Sequence, residues 1–517
     1  MVGEPRTLNY AVETSQPGGT ATNAPTLIVN TRLADVYRGD VFGPKLAEAI
    51  PSTDNGLWVL NPDGTMVTTW HIRPGVLWQD GTPFTSADLL FTTMVGQDKD
   101  LPAFRDPAYA SINSIEAPDP NTIVVNWKQP YIAAVAWLGD TEPLPEHLLR
   151  SVYEQDKANF TANPFFTDNF VGTGPFRLTA WDHGSAMTFA AFNQYALGQP
   201  KLDELELRFI LDAEVILAGA LAGTIDTTIG PRVSLEQGEQ AKQRWTAGRS
   251  ETVPDNWVAL FPQFINPTPA TLADVRLRKA LMYGTDRQQL TDVLNYGRFP
   301  VPNNYLLPSD ALYNDTLPSA VTYPFEPNQA MQLLTDLGYT KGADGIDVDR
   351  AGQRLVVEIR TTSGDDQKSK LMLTLADMWK QLGIDAPTVE IPRQLSNDLE
   401  YRQTRPAFEL VRQPDDFTAN GLKRFKSSEA ALPENGYQGQ NRTRYQNPEL
   451  DSLVDRFVAT IPLADRVDLA RQLVHLLTDQ LPIMGMIYAG SATLIADRLV
   501  NVTGVQNTRN VEQWDVQ

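Results

Sequence analysis

Apolar and polar positions along this chain follow two different periods, and the switches between them mark out elements. From residue 355 the run LVVEIRTT is β-branched and apolar, as a buried strand requires. The next stretch, KSKLMLTLADMWKQL, changes to helical spacing and sets Leu371, Leu375, Met378, Trp379 and Leu382 on one face. Gly383 stops that helix, and PTVEI resumes a strand up to Ile391. Strand, helix and strand at this length predict a βαβ crossover with parallel pairing. The same pattern is predicted at 205–229. There LELRFIL reads as a strand, Asp212 caps a helix over AEVILAGALA, Gly223 ends it, and TIDTTI reads as the second strand. Two βαβ units so far apart suggest two α/β lobes.

Other segments fill in around them. Asp274 and Asp286 stand at N-cap positions of a helix pair that Gly284 and Gly297 terminate. Arg276, Arg278 and Arg287 are expected to cap or pair within that hairpin. A short helix ends at Gly338, and an amphipathic one over ADRVDLARQLVHLLTDQL stops before Pro482, where IMGMIY begins a buried strand. Between Trp58 and Ile123 the turns NPDG, RPG, QDGTP and APDPN separate short segments. They predict antiparallel hairpins, broken by one helix whose Thr85 and Asp88 have capping-box spacing.

Composition narrows the chemistry. The 517 residues suffice for two or more domains, and no apolar run approaches the ~20 residues that span a bilayer. MVGEPRTLNYAVE lacks the basic start and apolar core of a signal peptide, as a mature form would. Net charge is −20, a surface that repels nucleic-acid phosphates and anionic lipid. Cysteine is absent, which removes disulfides and thiolate sites. The four histidines, His71, His147, His183 and His475, have no metal-pair spacing. No metal site, catalytic motif or cofactor is expected: HExxH, GxGxxG, GxxxxGK[ST] and GxSxG are all missing. Acidic pairs at Asp365-Asp366 and Asp415-Asp416 read as solvated turns by default, although a carboxylate dyad leaves little local trace.

Four stretches, in order, resemble the family 5 extracellular solute-binding proteins of ABC importers, which include dipeptide-, oligopeptide- and nickel-binding components. The first is LAEAI from Leu46 followed by TWHIRPGVLWQDGTPFTSADL from Thr69. The second is GTGPFRL from Gly172, with Asn193, Pro200 and the segment ending at Asp226. The third is DVRLRKAL from Asp274 with Thr285 to Arg287, and the fourth is the helix and turn from Pro327 to Tyr339. The WQDGTP and GTGP motifs are read as folding punctuation rather than ligand contacts.

The resemblance implies an α/β, type II periplasmic-binding-protein fold: two lobes with hinge strands and an extra subdomain inserted in the first. Mapped here, the first lobe is 1–45, 170–258 and 487–517, the inserted subdomain 46–169, and the second lobe 259–486. It implies an extracytoplasmic monomer, in the periplasm or at the cell surface, with any lipid anchor belonging to a longer precursor. Such a protein captures a peptide-like solute between closing lobes and hands it to permease subunits in the membrane. Family members that bind peptides hold the ligand's ammonium group with an aspartate in a W-x-x-D-x-x-D-P segment after a strand. Here that strand is FELV from Phe408, continuing into Asp415 and Asp416, which become the candidate ammonium partners. The tryptophan and final Asp-Pro of the pattern are missing. Trp257, Phe261 and Phe264 on the crossover segment, and Tyr109 in the insert, are candidate aromatic walls. Oligosaccharides or other non-peptide solutes would suit the same walls. From another class, a secreted carboxylate-dependent hydrolase would show turnover, and a receptor-type module would feed a sensor instead of a permease.

Overall fold

Helix α1 (Ser86–Gln97) begins where its sequence says it should. The Thr85 side chain accepts from the first turn, and Asp88 accepts a hydrogen bond from the Thr85 amide in return. In this computed structural model every residue is described except 1–2, 16–23, 38–39, 414–416 and 503–507. The chain divides into two units, residues 1–253 with 491–517 and residues 254–490.

In the first unit, the hairpins predicted from the turn signals form. Strands β1 (Trp58–Leu60), β2 (Met66–His71), β3 (Ile112–Asp119) and β4 (Thr122–Trp127) make an antiparallel sheet in the order β1-β2-β4-β3. Burial alternates along β2 and β4, so Met66, Thr68 and Trp70 face the same side as their partners Trp127, Val125 and Ile123. Trp127 donates to Thr68 Oγ1 at 3.0 Å, which satisfies its buried indole N–H.

A second sheet follows: β5 (Phe176–Asp182), β6 (Ala186–Ala191) and β7 (Glu204–Arg208), in that order and all antiparallel. This corrects the expected βαβ unit at 205–229. Helix α2 (Ala213–Leu221) forms under the Asp212 cap, but TIDTTI is not a strand. It contributes only a bridge between Thr227 and Ile495. Among the described residues β7 pairs only with β6, where Phe189 faces Leu205, and no parallel neighbour lies beside it for a crossover to reach.

The second unit is built on a five-stranded sheet. Its order is β10 (Thr388–Ile391), β9 (Ile359–Thr362), β11 (Phe408–Gln413), β8 (Gly248–Pro262) and β12 (Met484–Ala496). β9 runs parallel to β10 and β11, while β8 is antiparallel to β11. Here the predicted βαβ unit is present. Helix α6 (Asp366–Leu382) connects β9 to β10 and ends at Gly383, whose φ of 98° is open to glycine without strain. Leu371, Leu375 and Trp379 of α6 are fully buried against Val258, Leu260, Phe408 and Leu410 of the sheet. Each such side chain stabilises by about 1.5–3 kcal/mol.

Helices α3 (Val275–Tyr283) and α4 (Arg287–Leu294) are the predicted pair, capped by Asp274 and Asp286. α5 (Pro327–Asp336) and α7 (Leu463–Gln480) complete the predicted set. Arg276 pairs with Asp274 at 2.7 Å inside the hairpin, as expected. Arg278 and Arg287 reach beyond it. Arg278 donates to the carbonyls of Leu272 and Gln480, and Arg287 to Pro302 and Gly485. Both are buried, so carbonyls from later segments replace the water that a hairpin arginine would otherwise keep.

Candidate functional site

In open α/β sheets, ligands settle beyond the carboxyl ends of parallel strands, where helix N-termini converge. In the second unit that place is the end of β9 and β11, at Thr362 and Gln413, facing the start of α6. The first turn of α6 is held by Asp365, whose carboxylate accepts from the Lys368 amide at 3.1 Å. The same carboxylate takes Arg412 of β11 through Nε at 2.9 Å and Nη2 at 3.2 Å. Arg412 Nη2 also donates to Gln367 Oε1 at 2.8 Å, and Gln367 in turn donates to Asn295 Oδ1 at 2.8 Å. Lys368 reaches back to Thr362 Oγ1 at 2.8 Å.

Burial alone would raise the Asp365 carboxyl, but the hydrogen bond and charge of Arg412 outweigh it and hold the group below the usual carboxylate range. Burial lowers the Lys368 ammonium, against the pull of Asp365. The site is thus a polar knot of fixed charges at the strand ends. Asp365, read from sequence as a solvated turn, is instead a cap and an ion-pair partner.

The candidates from sequence distribute as follows. Asp415 and Asp416 lie outside the described residues, directly after β11. Trp257 pairs across the β8–β11 ladder with Gln413, so it stands at this same end of the sheet. Its ring is buried and meets Tyr305 edge-on, centroids 5.1 Å apart. Phe261 pairs with Glu409, four residues toward the other end and on the same face. Arg442 lies 5.7 Å above the Phe261 ring and donates to Glu409 Oε2 at 3.0 Å. Arg402 donates to Glu409 Oε1 at 3.0 Å, so this buried carboxylate is fully occupied. Phe264 lies beyond β8, with Tyr445 4.7 Å away and the Arg278 guanidinium 4.6 Å over its ring. Tyr109 belongs to the first unit, where its ring is edge-on to Trp137 at 5.3 Å and lies against Gly96. Burial pushes its hydroxyl well above the ordinary tyrosine range.

The structure therefore brings Trp257 to the strand ends that precede Asp415 and Asp416, and sets Phe261 and Phe264 among arginines. Sequence reasoning missed Arg412, Gln413, Gln367 and Lys368. The register of β8 on β11, which places Gln413 opposite Trp257, leaves no local trace in either strand. Among the described residues no cluster of three or more His, Cys, Asp or Glu side chains is arranged to hold a metal ion. Among the same residues no helix is long and apolar enough to cross a membrane.

Comparison with known proteins shows what class of scaffold carries this site. The family model "Bacterial extracellular solute-binding proteins, family 5 Middle" matches residues 42–419. The oligopeptide-binding protein AppA of Bacillus subtilis is 27% identical over 354 residues, which are 66% of this chain and 60% of that protein. Heme-binding protein A of Haemophilus influenzae is 24% identical over 486 residues, 90% of this chain and 82% of that one. The crystal structure of an oligopeptide binding protein from Thermus thermophilus, complexed with a pentapeptide, superposes with a TM-score of 0.71 at 21% identity. That match covers 100% of this chain and 95% of that one and shows the fold, the type II periplasmic-binding-protein fold. The chain belongs to the bacterial extracellular solute-binding proteins of family 5, which are substrate-binding proteins of ABC transporters rather than enzymes.

Proposed function

We propose that this protein binds a peptide-like solute outside the cytoplasmic membrane and delivers it to the permease subunits of an ABC importer. Family membership supports the transport role. The observation that supports the peptide reading is the end of β11, the strand that leads in sequence to Asp415 and Asp416. In sequence they follow Gln413, the last residue of β11, which ends beside a polar knot at the carboxyl ends of parallel strands, and a carboxylate is the group that a buried ammonium requires. Arg412 of β11 is already committed to Asp365. Trp257, Phe261 and Phe264 of the second unit supply aromatic surface in this reading. The identity to AppA, an oligopeptide-binding protein, agrees with it.

Heme-binding protein A matches more of the chain than AppA does, so hemin belongs in the test. Freshly purified protein is examined by native mass spectrometry for carried ligand, then screened by thermal shift against peptides, oligosaccharides and hemin. Peptides raising the melting temperature, with the effect lost in Asp415→Asn or Asp416→Asn, supports the proposal. A response to hemin or sugars alone overturns it.

A further inference from the structure

Two buried hydrogen-bond donors face the same side of the sheet from neighbouring strands, and neither has a partner among the described residues. They are Trp257 Nε1 on β8 and Gln413 Nε2 on β11. The two residues are direct cross-strand partners. Their Cβ atoms are therefore about 5 Å apart, close enough for one acceptor to serve both side chains. Trp257 cannot turn its N–H elsewhere. Its ring meets Tyr305, and a Cβ at Gly485 would come within 2.6 Å of it, so glycine there leaves the ring its place. Gln413 is half-buried, although its Nε2 atom is buried.

We infer that Trp257 Nε1 and Gln413 Nε2 form a two-donor subsite that takes a carbonyl or carboxylate oxygen of the bound solute. The inference deepens the proposed function and rests on it. Buried donors left without acceptors cost free energy in the empty protein, and native folds keep few of them. The pair stands at the end of the sheet where the parallel strands β9 and β11 finish, and is placed to recover that cost when ligand binds. Trp257 Nε1 can only donate and the Gln413 amide turns its N–H groups to the same place, so the pair favours an oxygen over an ammonium there.

The test separates a ligand role from a structural one. The protein and its Gln413→Leu and Trp257→Phe variants are incubated with an equimolar pool of random tri- to pentapeptides. Peptides recovered by the wild type are then titrated individually. Gln413→Leu keeps size and removes the orphan donor. The expected result is an affinity at least ~10-fold weaker, while the ligand-free melting temperature is unchanged or higher, since a cost has been removed. Trp257→Phe is expected to weaken the same peptides likewise. Unchanged affinity in Gln413→Leu overturns the inference. So does a ligand-free melting temperature lowered by several degrees, because the donor would then serve the fold through a buried water. A wild type that recovers no peptide sinks the proposed function and this subsite with it, whereas peptides held equally by wild type and variant sink the subsite alone.

Discussion

Gln79 and Gly172 are joined reciprocally: the Gln79 amide donates to the Gly172 carbonyl at 2.9 Å, and the Gly172 amide donates to Gln79 Oε1 at 3.0 Å. The two residues belong to the WQDGTP and GTGP motifs, which lie far apart in the chain. Gln79 Nε2 also donates to the carbonyls of Val29, Gly174 and Phe176 at 3.1, 3.1 and 2.7 Å. The turn that presents Gln79 depends on Gly81, at a φ of 89°. The motifs are thus one buried structural clasp.

Gln79→Leu strips partners from several buried backbone groups at once. The first unit is expected to lose about 3 kcal/mol in urea unfolding, with ligand affinity of the surviving folded protein unchanged. Gly172→Ala is expected to be at least as severe, because its Cβ would lie 1.9 Å from the Val29 carbonyl oxygen. A variant of either kind that melts like wild type would show that the clasp carries no stability.

Arg405 is fully buried without a hydrogen bond to any carboxylate. It donates to the carbonyls of Phe261, Pro262, Arg402 and Arg442 at 3.0–3.2 Å, tying the end of β8 to two loops of the second unit. Burial pushes its pKa down to about 9. Arg405→Lys retains charge but offers one compact ammonium where a planar fork served four oxygens. A loss of about 3 kcal/mol is expected by denaturant titration, similar to that of Arg405→Met. If lysine were tolerated at wild-type stability, charge and not fork geometry would be what the site needs.

How much of this was legible in the sequence depends on how local the cause was. The βαβ unit of the second unit could be read because each step has its own signal: β-branched LVVEI, a cap at Asp365, a one-sided apolar stripe and Gly383. Its counterpart at 205–229 was misread because TIDTTI has strand composition, yet strand formation depends on a partner. β7 took β6, and residues 226–228 met the Leu494–Ala496 stretch of β12 instead, antiparallel and without forming a strand. The buried arginines show the same limit. Arg278 and Arg405 look like surface residues until the carbonyls of Gln480 and Phe261, far away in the chain, come to them. The site was legible in part. Trp257 was found from the crossover segment, but its neighbour Gln413 depends on register, which alternation along a strand does not fix between strands.

At the start of the chain, Glu4 receives Trp181 Nε1 at 2.6 Å, His183 Nδ1 at 2.7 Å and the Gly184 amide at 2.9 Å. The hydrogen bond from His183 to Glu4 raises the His183 pKa, with Asp168 adding to it. A histidine raised in the folded state contributes stability that is fully present below its unfolded pKa, near ~6.5, and lost as pH rises through the folded value. The Gly184 amide should therefore exchange faster with deuterium above neutrality. In Glu4→Gln, His183 is expected to titrate back near ~6.5 by NMR, with exchange at Gly184 no longer following that titration. A His183 titration unmoved by the substitution would remove Glu4 as the cause.

Asp365 does two jobs, and two substitutions separate them. Asparagine caps helices about as well as aspartate, so Asp365→Asn keeps the cap of α6 and loses only the charged pair with Arg412. Asp365→Ala loses both. The expected losses in urea unfolding at pH 7 are about 1–2 kcal/mol for asparagine and about 1 kcal/mol more for alanine. The pH dependence follows from the direction of the shift. Arg412 holds the folded Asp365 carboxyl below its unfolded value of about 3.9, so its contribution is fully present above that pH and is lost as pH falls through the folded value. The gap between wild type and Asp365→Asn should accordingly stay constant from about pH 7 to 5 and close below about pH 4. A gap that persists undiminished to about pH 3 would mean that the carboxylate charge is not what binds β11 to the start of α6.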